Sequence, residues 1–171
     1  MEFQTKYITP DIKLSCYSDG LFKTEVVFEH HMLVWFISGE TKIIQADCTD
    51  VFKAGDIFLI PRNQLATIIN YPKDGKPHQS VVMHLTADRL RDFYAEQPIA
   101  PKAVVVKKIR RFNEHPLLKS CLSSLVPYFD MQEEFPETIA QLKITEAITI
   151  LRTIDKTIDN VLADFEEPGK I

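Results

Sequence analysis

Several absences bound what this chain can do. Its 171 residues carry only three cysteines, Cys16, Cys48 and Cys121. They are scattered, with no Cys-x-x-Cys spacing, and an odd number leaves no complete disulfide framework. The pattern suits buried or incidental thiols in a reducing compartment. No apolar run approaches the roughly 18 residues a membrane span requires, and the opening MEFQTKYITPD has no apolar signal core. Cytoplasmic is therefore the expected location, with no membrane partner. Basic excess is missing too: 20 Lys and Arg against 24 Asp and Glu leave a net charge of −4. That balance argues against the chain itself wrapping a polyanion. The short KKIRR at 107–111 reads as a solvated strand end or turn.

What is present divides near residue 112. Before it, short runs rich in Val, Ile, Phe and Thr alternate with turn residues such as Asp19–Gly20, Ser38–Gly39, Gly55–Asp56 and Pro61–Arg62–Asn63. The spacing is that of a β-sandwich or barrel. One helical pattern intervenes, TADRLRDFYAEQ at 86–97, with Pro98 as its stop. After 112 the period changes. Leu117, Leu118, Cys121, Leu122 and Leu125 mark one helix face, with Asn113 as the expected N-cap. A second helix over 136–165 buries Ile144, Ala147, Ile148, Leu151 and Ile158, with a break expected near Asp155. Its apolar stripe is broader than one contact needs, and Ile139, Leu142, Ile150 and Ile154 lie on adjoining faces. These four are the candidate homodimer interface. The division is thus 1–112 for the β-domain, 113–165 for a helical appendage, and 166–171, within FEEPGKI, for the start of a linker.

Two stretches in the β-domain keep the spacing of a known pair of motifs. Gly20, Val26, Phe28, Met32 and Gly39 fall at every interval of the first cupin motif. Gly55, Pro61, Asn63, Ala66 and Asn70 do the same for the second. The β-domain therefore resembles a cupin barrel, mainly β with an α appendage. One turn glycine is replaced by Asn63, a residue that tolerates left-handed backbone angles. The four positions that hold metal in cupins are Val26, Phe28, Met32 and Ala66. Hydrocarbon offers a metal no electron pair, and a lone thioether holds no hard ion. No metal or other cofactor is expected.

Strand alternation supplies the rest of that lining. With Val26, Phe28 and Met32 inward, period two adds Thr24, His30, Val34 and Phe36, and Ala66 brings Ile68 and Asn70. Glu29, His31, Leu33 and Trp35 face the other way, leaving His30 as the one inward imidazole; His78 reads as a surface residue. The set suits either a small-molecule pocket or a filled core. As a pocket it would take a largely apolar effector with one or two polar handles, since the motifs contribute no Arg, Lys or carboxylate.

The ordered phrases FEHHMLVWFISGETKI, FKAGDIFLIPRNQLATI, VVMHLTADRLRDFY and KITEAITIL resemble the N-terminal domain of AraC-type transcription regulators. That resemblance implies a bacterial regulatory domain that senses a small effector or a partner protein and forms a homodimer. DNA would be bound only through a separate C-terminal helix-turn-helix domain not in this chain. It implies no enzyme. A metal-free cupin enzyme or a stand-alone binding cupin remains the alternative, although general-base chemistry needs a partner that strand parity does not place beside His30.

Overall fold

A computed structural model describes residues 3–17, 20–99, 107–131 and 133–165 of the chain. The tail assigned to a linker, 166–171, lies outside the described residues. The described residues form ten strands: β1 (Phe3–Thr9), β2 (Ile12–Tyr17), β3 (Phe22–Phe28), β4 (His31–Ser38), β5 (Glu40–Ile44), β6 (Thr49–Lys53), β7 (Ile57–Ile60), β8 (Gln64–Tyr71), β9 (His78–Leu85) and, after a helix, β10 (Arg110–Asn113). They form two antiparallel sheets, β1-β2-β9-β4-β7-β10 and β3-β8-β5-β6, that face each other as a cupin-like barrel.

The turn positions preserved in the motifs do what their spacing requires. Gly20, Gly39, Gly55 and Asn63 all have positive φ, 72°, 83°, 94° and 64°. Asparagine fills the last because its short side chain tolerates that region better than most. At Gly39 the need is also steric. A Cβ there would come within 2.6 Å of the His78 Cα.

Alternation along the larger sheet builds two cores from one set of strands. Leu33 on β4, Ile57 and Leu59 on β7, Val81, Met83 and Leu85 on β9, and Ile12 and Leu14 on β2 join one buried cluster. Val34, Phe36, Phe58, Ile60 and Val82, their neighbours on the same strands, join Phe28, Ile43, Phe52 and Ala66 in the other. The first cluster lies under the helices and the second inside the barrel. Strand β7 is buried on both faces, which is why IFLI has no polar alternate.

The helices cover the outer face of the larger sheet. Helix α1 (Ala87–Glu96) is N-capped by Thr86, whose hydroxyl accepts from the Arg89 backbone N–H at 3.3 Å. The stretch after β10 becomes α2 (Pro116–Ser123) and α3 (Val126–Asp130). They part where Pro127 has no N–H to continue the ladder. The cap of α2 is His115, not the expected Asn113. Asn113 instead closes β10 with φ 53° and pairs with Ile57. Helix α4 (Glu137–Ile154) buries Ala140, Ile144, Ala147, Ile148 and Leu151. It stops at Asp155, whose carboxylate accepts from the Thr157 backbone N–H at 3.0 Å and turns the chain into α5 (Asp159–Leu162).

Charged and polar pairs tie the helical layer to the barrel and brace each of them. Arg89 joins Asp11 in the β1–β2 turn at 2.6 Å and also pairs with Glu137 at the start of α4. Arg110, from the KKIRR cluster, reaches Asp155 at 2.6 Å, and Arg111 reaches Asp50 at 3.3 Å. Arg152 and the Tyr94 hydroxyl both bond Asp159, at 2.8 and 2.5 Å. Among the described residues, no helix is long and apolar enough to cross a membrane.

Candidate functional site

Between the two sheets lies a cavity of about 390 Å³. The space between the motifs is thus not filled by side chains. Of the ten positions named from the sequence, Thr24, Val26, Phe28, His30, Met32, Val34, Phe36, Ile68 and Asn70 line it. Ala66 does not line the cavity; it is buried in the barrel core, paired with Val26 across β3 and β8.

The wall has more polar groups than the two motifs contribute, because β2 and β9 form one side of it. Lys13, Ser15 and Tyr17 of β2 face inward beside Val82, Ser80 and His78 of β9, their register partners. His84 lines the cavity as well. His30 is therefore one of three imidazoles in the lining, and His78 is no surface residue: it is 2% exposed. The reason is long-range. Phe36 and Tyr17 place their rings 5.1 and 5.4 Å from the His78 ring, and Gly39 admits its backbone. Nothing in the polar local context KDGKPHQS shows that closure. The alternation Ile12-Lys13-Leu14-Ser15 could have pointed to β2, but a polar face reads by default as solvent-facing.

The polar groups separate into two ends. His78 and His84 are six residues apart on β9, about 20 Å of strand. At the first end, Tyr17 bonds the Asn70 side chain. The Thr41 hydroxyl donates to Asn70 Oδ1 at 2.6 Å and lies 2.6 Å from His78 Nε2. The other ring nitrogen, His78 Nδ1, is buried without a partner among the described residues. Burial pushes the His78 pKa down to about 4, so this network holds a neutral imidazole.

The second end is cationic. Lys13 lines the wall, and desolvation lowers its pKa. His84 stands edge-on to His30 at 6.1 Å between ring centres. Its pKa is lowered by burial first and then by the charge of Lys13. Glu29 reaches the rim but is exposed. Between the two ends the wall is mostly apolar, Val26, Phe28, Met32, Val34, Phe58, Ile60, Ile68 and Val82, interrupted by the Ser15–Ser80 pair. A mostly apolar slot with an ammonium at one end is suited to an amphipathic anion.

It is not suited to the metal that cupins carry. Val26, Phe28, Met32 and Ala66 hold the ligand positions and offer no imidazole, carboxylate or thiolate. Among the described residues, no three His, Cys, Asp or Glu come together in a way that could hold a metal ion.

On the helical side, Ile150 and Ile154 are half-buried and pack against their own chain's core. Ile139 is half-buried, and Leu142 is 69% exposed. A shallow groove along α4 is lined by Thr138, Gln141, Leu142, Thr145, Glu146, Thr149 and Ile150.

Residues 31–158 match the family model of the ExsA N-terminal regulatory domain. No curated protein matches the chain by sequence. In fold the chain is similar to ToxT from Vibrio cholerae strain SCE256: TM-score 0.63 at 12% identity, covering 92% of this chain and 61% of that one. It is also similar to ToxT from Vibrio cholerae O395 solved with (E)-4-(8-methylnaphthalen-1-yl)but-3-enoic acid, with TM-score 0.57, 13% identity and coverage of 98% and 62%. The AraC-like transcriptional activator CuxR gives TM-score 0.52 at 12% identity, covering 99% of this chain and 58% of its own. The chain thus spans less than two thirds of the length of these neighbours. With the family match running from β4 to the end of α4, the chain belongs to the ExsA N-terminal regulatory domain family.

Proposed function

We propose that the barrel is an effector site for an amphipathic monocarboxylic acid, and that the helical appendage joins two copies of the domain. The observation that carries the first half is Lys13, an ammonium in the wall of an otherwise mostly apolar slot. Desolvation of that ammonium is relieved when a carboxylate binds beside it, while an alkyl chain gains about 0.8 kcal/mol for each CH₂ it buries. The volume, about 390 Å³, falls in the roughly 300–1,000 Å³ range of small-molecule sites. Two ToxT structures hold acids on apolar bodies, an unsaturated fatty acid and the naphthalenyl butenoic acid, which supports the same chemistry here. The domain performs no reaction on its ligand; it reports the ligand to a DNA-binding domain elsewhere in the full regulator.

In this reading residues 1–112 sense and residues 113–165 assemble. Leu142, exposed in the α4 groove that Ile150 also lines, is the anchor of the pairing face, with Ile139 three residues before it on the same helix. A two-fold axis would set this groove against its own copy.

Calorimetric titration of decanoate and decanol tests the effector half. The two share a tail and differ in the head group. The acid is expected to bind at least about tenfold more tightly, as one charge-assisted contact provides. Equal affinities, or no binding of either, would reject the site.

A further inference from the structure

The cavity and the end of the helical layer meet at the turn between β3 and β4. His30 lines the cavity. One peptide bond later, His31 points the other way and is 2% exposed. Its Nδ1 accepts from the Arg62 backbone N–H at 3.0 Å. The next residue, Asn63, donates its backbone N–H to the Phe28 carbonyl at 2.6 Å. The β7–β8 turn is thereby fastened to both sides of the β3–β4 turn.

From that joint a side chain reaches the end of the chain's helical part. Arg62 Nη2 donates to the Asp164 backbone carbonyl at 2.9 Å. The Asp164 carboxylate lies 3.6 Å from Lys107 Nζ, and Arg91 sits 5.0 Å over the Phe165 ring. Asp164 and Phe165, just past α5, therefore lie against three cations, Arg62, Lys107 and Arg91.

The joint is built with polar atoms to spare. With Nδ1 accepting, His31 Nε2 carries the proton, and it is buried without a protein partner. Asn63 Nδ2 is buried in the same state, on a residue with φ 64°. Buried polar atoms without protein partners are rare in folded proteins, and two of them meet at this joint.

We propose that the His30–His31 pair couples the cavity to the seating of Asp164 and Phe165. A carboxylate drawing His30 toward Lys13 and His84 turns His31, withdraws the acceptor from the Arg62 amide, and loosens the guanidinium from Asp164. This rests on the cavity being the effector site and adds how occupancy would leave the barrel. Arg62 is not among the cavity-lining residues, so its response to the ligand is indirect.

Amide hydrogen exchange by NMR on the whole chain tests the coupling without any ligand. His30→Ala is expected to speed exchange at the Arg62, Ala163 and Asp164 amides by about fivefold or more. Ser80→Ala, which changes the cavity wall away from the turn, is expected to leave those amides unchanged. Wild-type exchange at all three in folded His30→Ala and His30→Trp would overturn the coupling. Decanoate added to the wild type separates the two ideas. Binding with no change at these amides overturns the coupling and leaves the effector site standing; no binding rejects the effector site, and the His30 variants still decide the joint.

Discussion

His31 and His78 are imidazoles that the fold keeps neutral. Burial lowers His31 to about 3, helped by the charges of Arg62 and Lys107, and lowers His78 to about 4. In the unfolded chain both take up a proton near 6.5. Below that pH the unfolded state holds more protons than the folded one. Stability contributed by the neutral rings is thus complete above 6.5, falls as pH drops through it, and stops falling only near the folded values. Each group can cost up to about 1.4 kcal/mol per pH unit in that window. Urea unfolding at pH 5 should therefore show about 2–4 kcal/mol less stability than at pH 7. A flat profile over that range would mean the two rings are not sealed from water as described. These residues also mark what a sequence reading can and cannot see. Inward Val34 and Phe36 follow from counting alternate positions along one strand. His78 and Lys13 do not, because their direction depends on which strands lie beside them, and that pairing joins residues far apart in the chain.

At the scale of elements, the weakest part of the helical layer is α5, four residues long and without a side-chain cap. It keeps its place through Asp159, which accepts from Tyr94 and from both Nε and Nη2 of Arg152. Burial and the Asp159 hydrogen bond push the Tyr94 hydroxyl pKa up, so it remains a donor. Asp159→Ala removes all three bonds and leaves a buried tyrosine hydroxyl unpaired. The expected loss is about 1–3 kcal/mol in chemical unfolding, with Tyr94→Phe costing less. An Asp159→Ala protein as stable as the wild type would place the anchoring elsewhere, in the burial of Ile158, Val161 and Leu162 alone. The long helix and its break were readable from apolar spacing and from Asp155. The start of α2 was not. Asn113 is a sound cap by residue type, but β10 pairs with β7 and carries the strand through it, so the cap passes to His115. A strand partner outranks a local propensity.

At the scale of the whole molecule, two surfaces carry the proposal: the α4 groove outside and the cavity inside. Wild-type protein is expected to sediment as a dimer at micromolar concentration, and Leu142→Glu as a folded monomer. The substitution puts a charge on each side of a two-fold contact, and Leu142 is exposed enough to change without disturbing the core. A wild-type monomer, or a Leu142→Glu dimer, would contradict this pairing face. The ordered cupin spacing and the following helices made the architecture and family readable before any coordinates. The chemistry of the cavity was only half readable, because the motifs carry its apolar wall and β2 carries its charge.

The most direct test of that chemistry is the ratio of decanol to decanoate dissociation constants, measured in the wild type and in Lys13→Met. Methionine keeps the length and apolar stem of lysine and removes the ammonium. If Lys13 receives the carboxylate, the wild type should favour the acid by about tenfold or more, and Lys13→Met should bring the ratio close to one without changing decanol binding. The wild-type preference should also weaken as pH rises through the lowered pKa of Lys13. A Lys13→Met protein that still favours decanoate as strongly as the wild type would contradict the account.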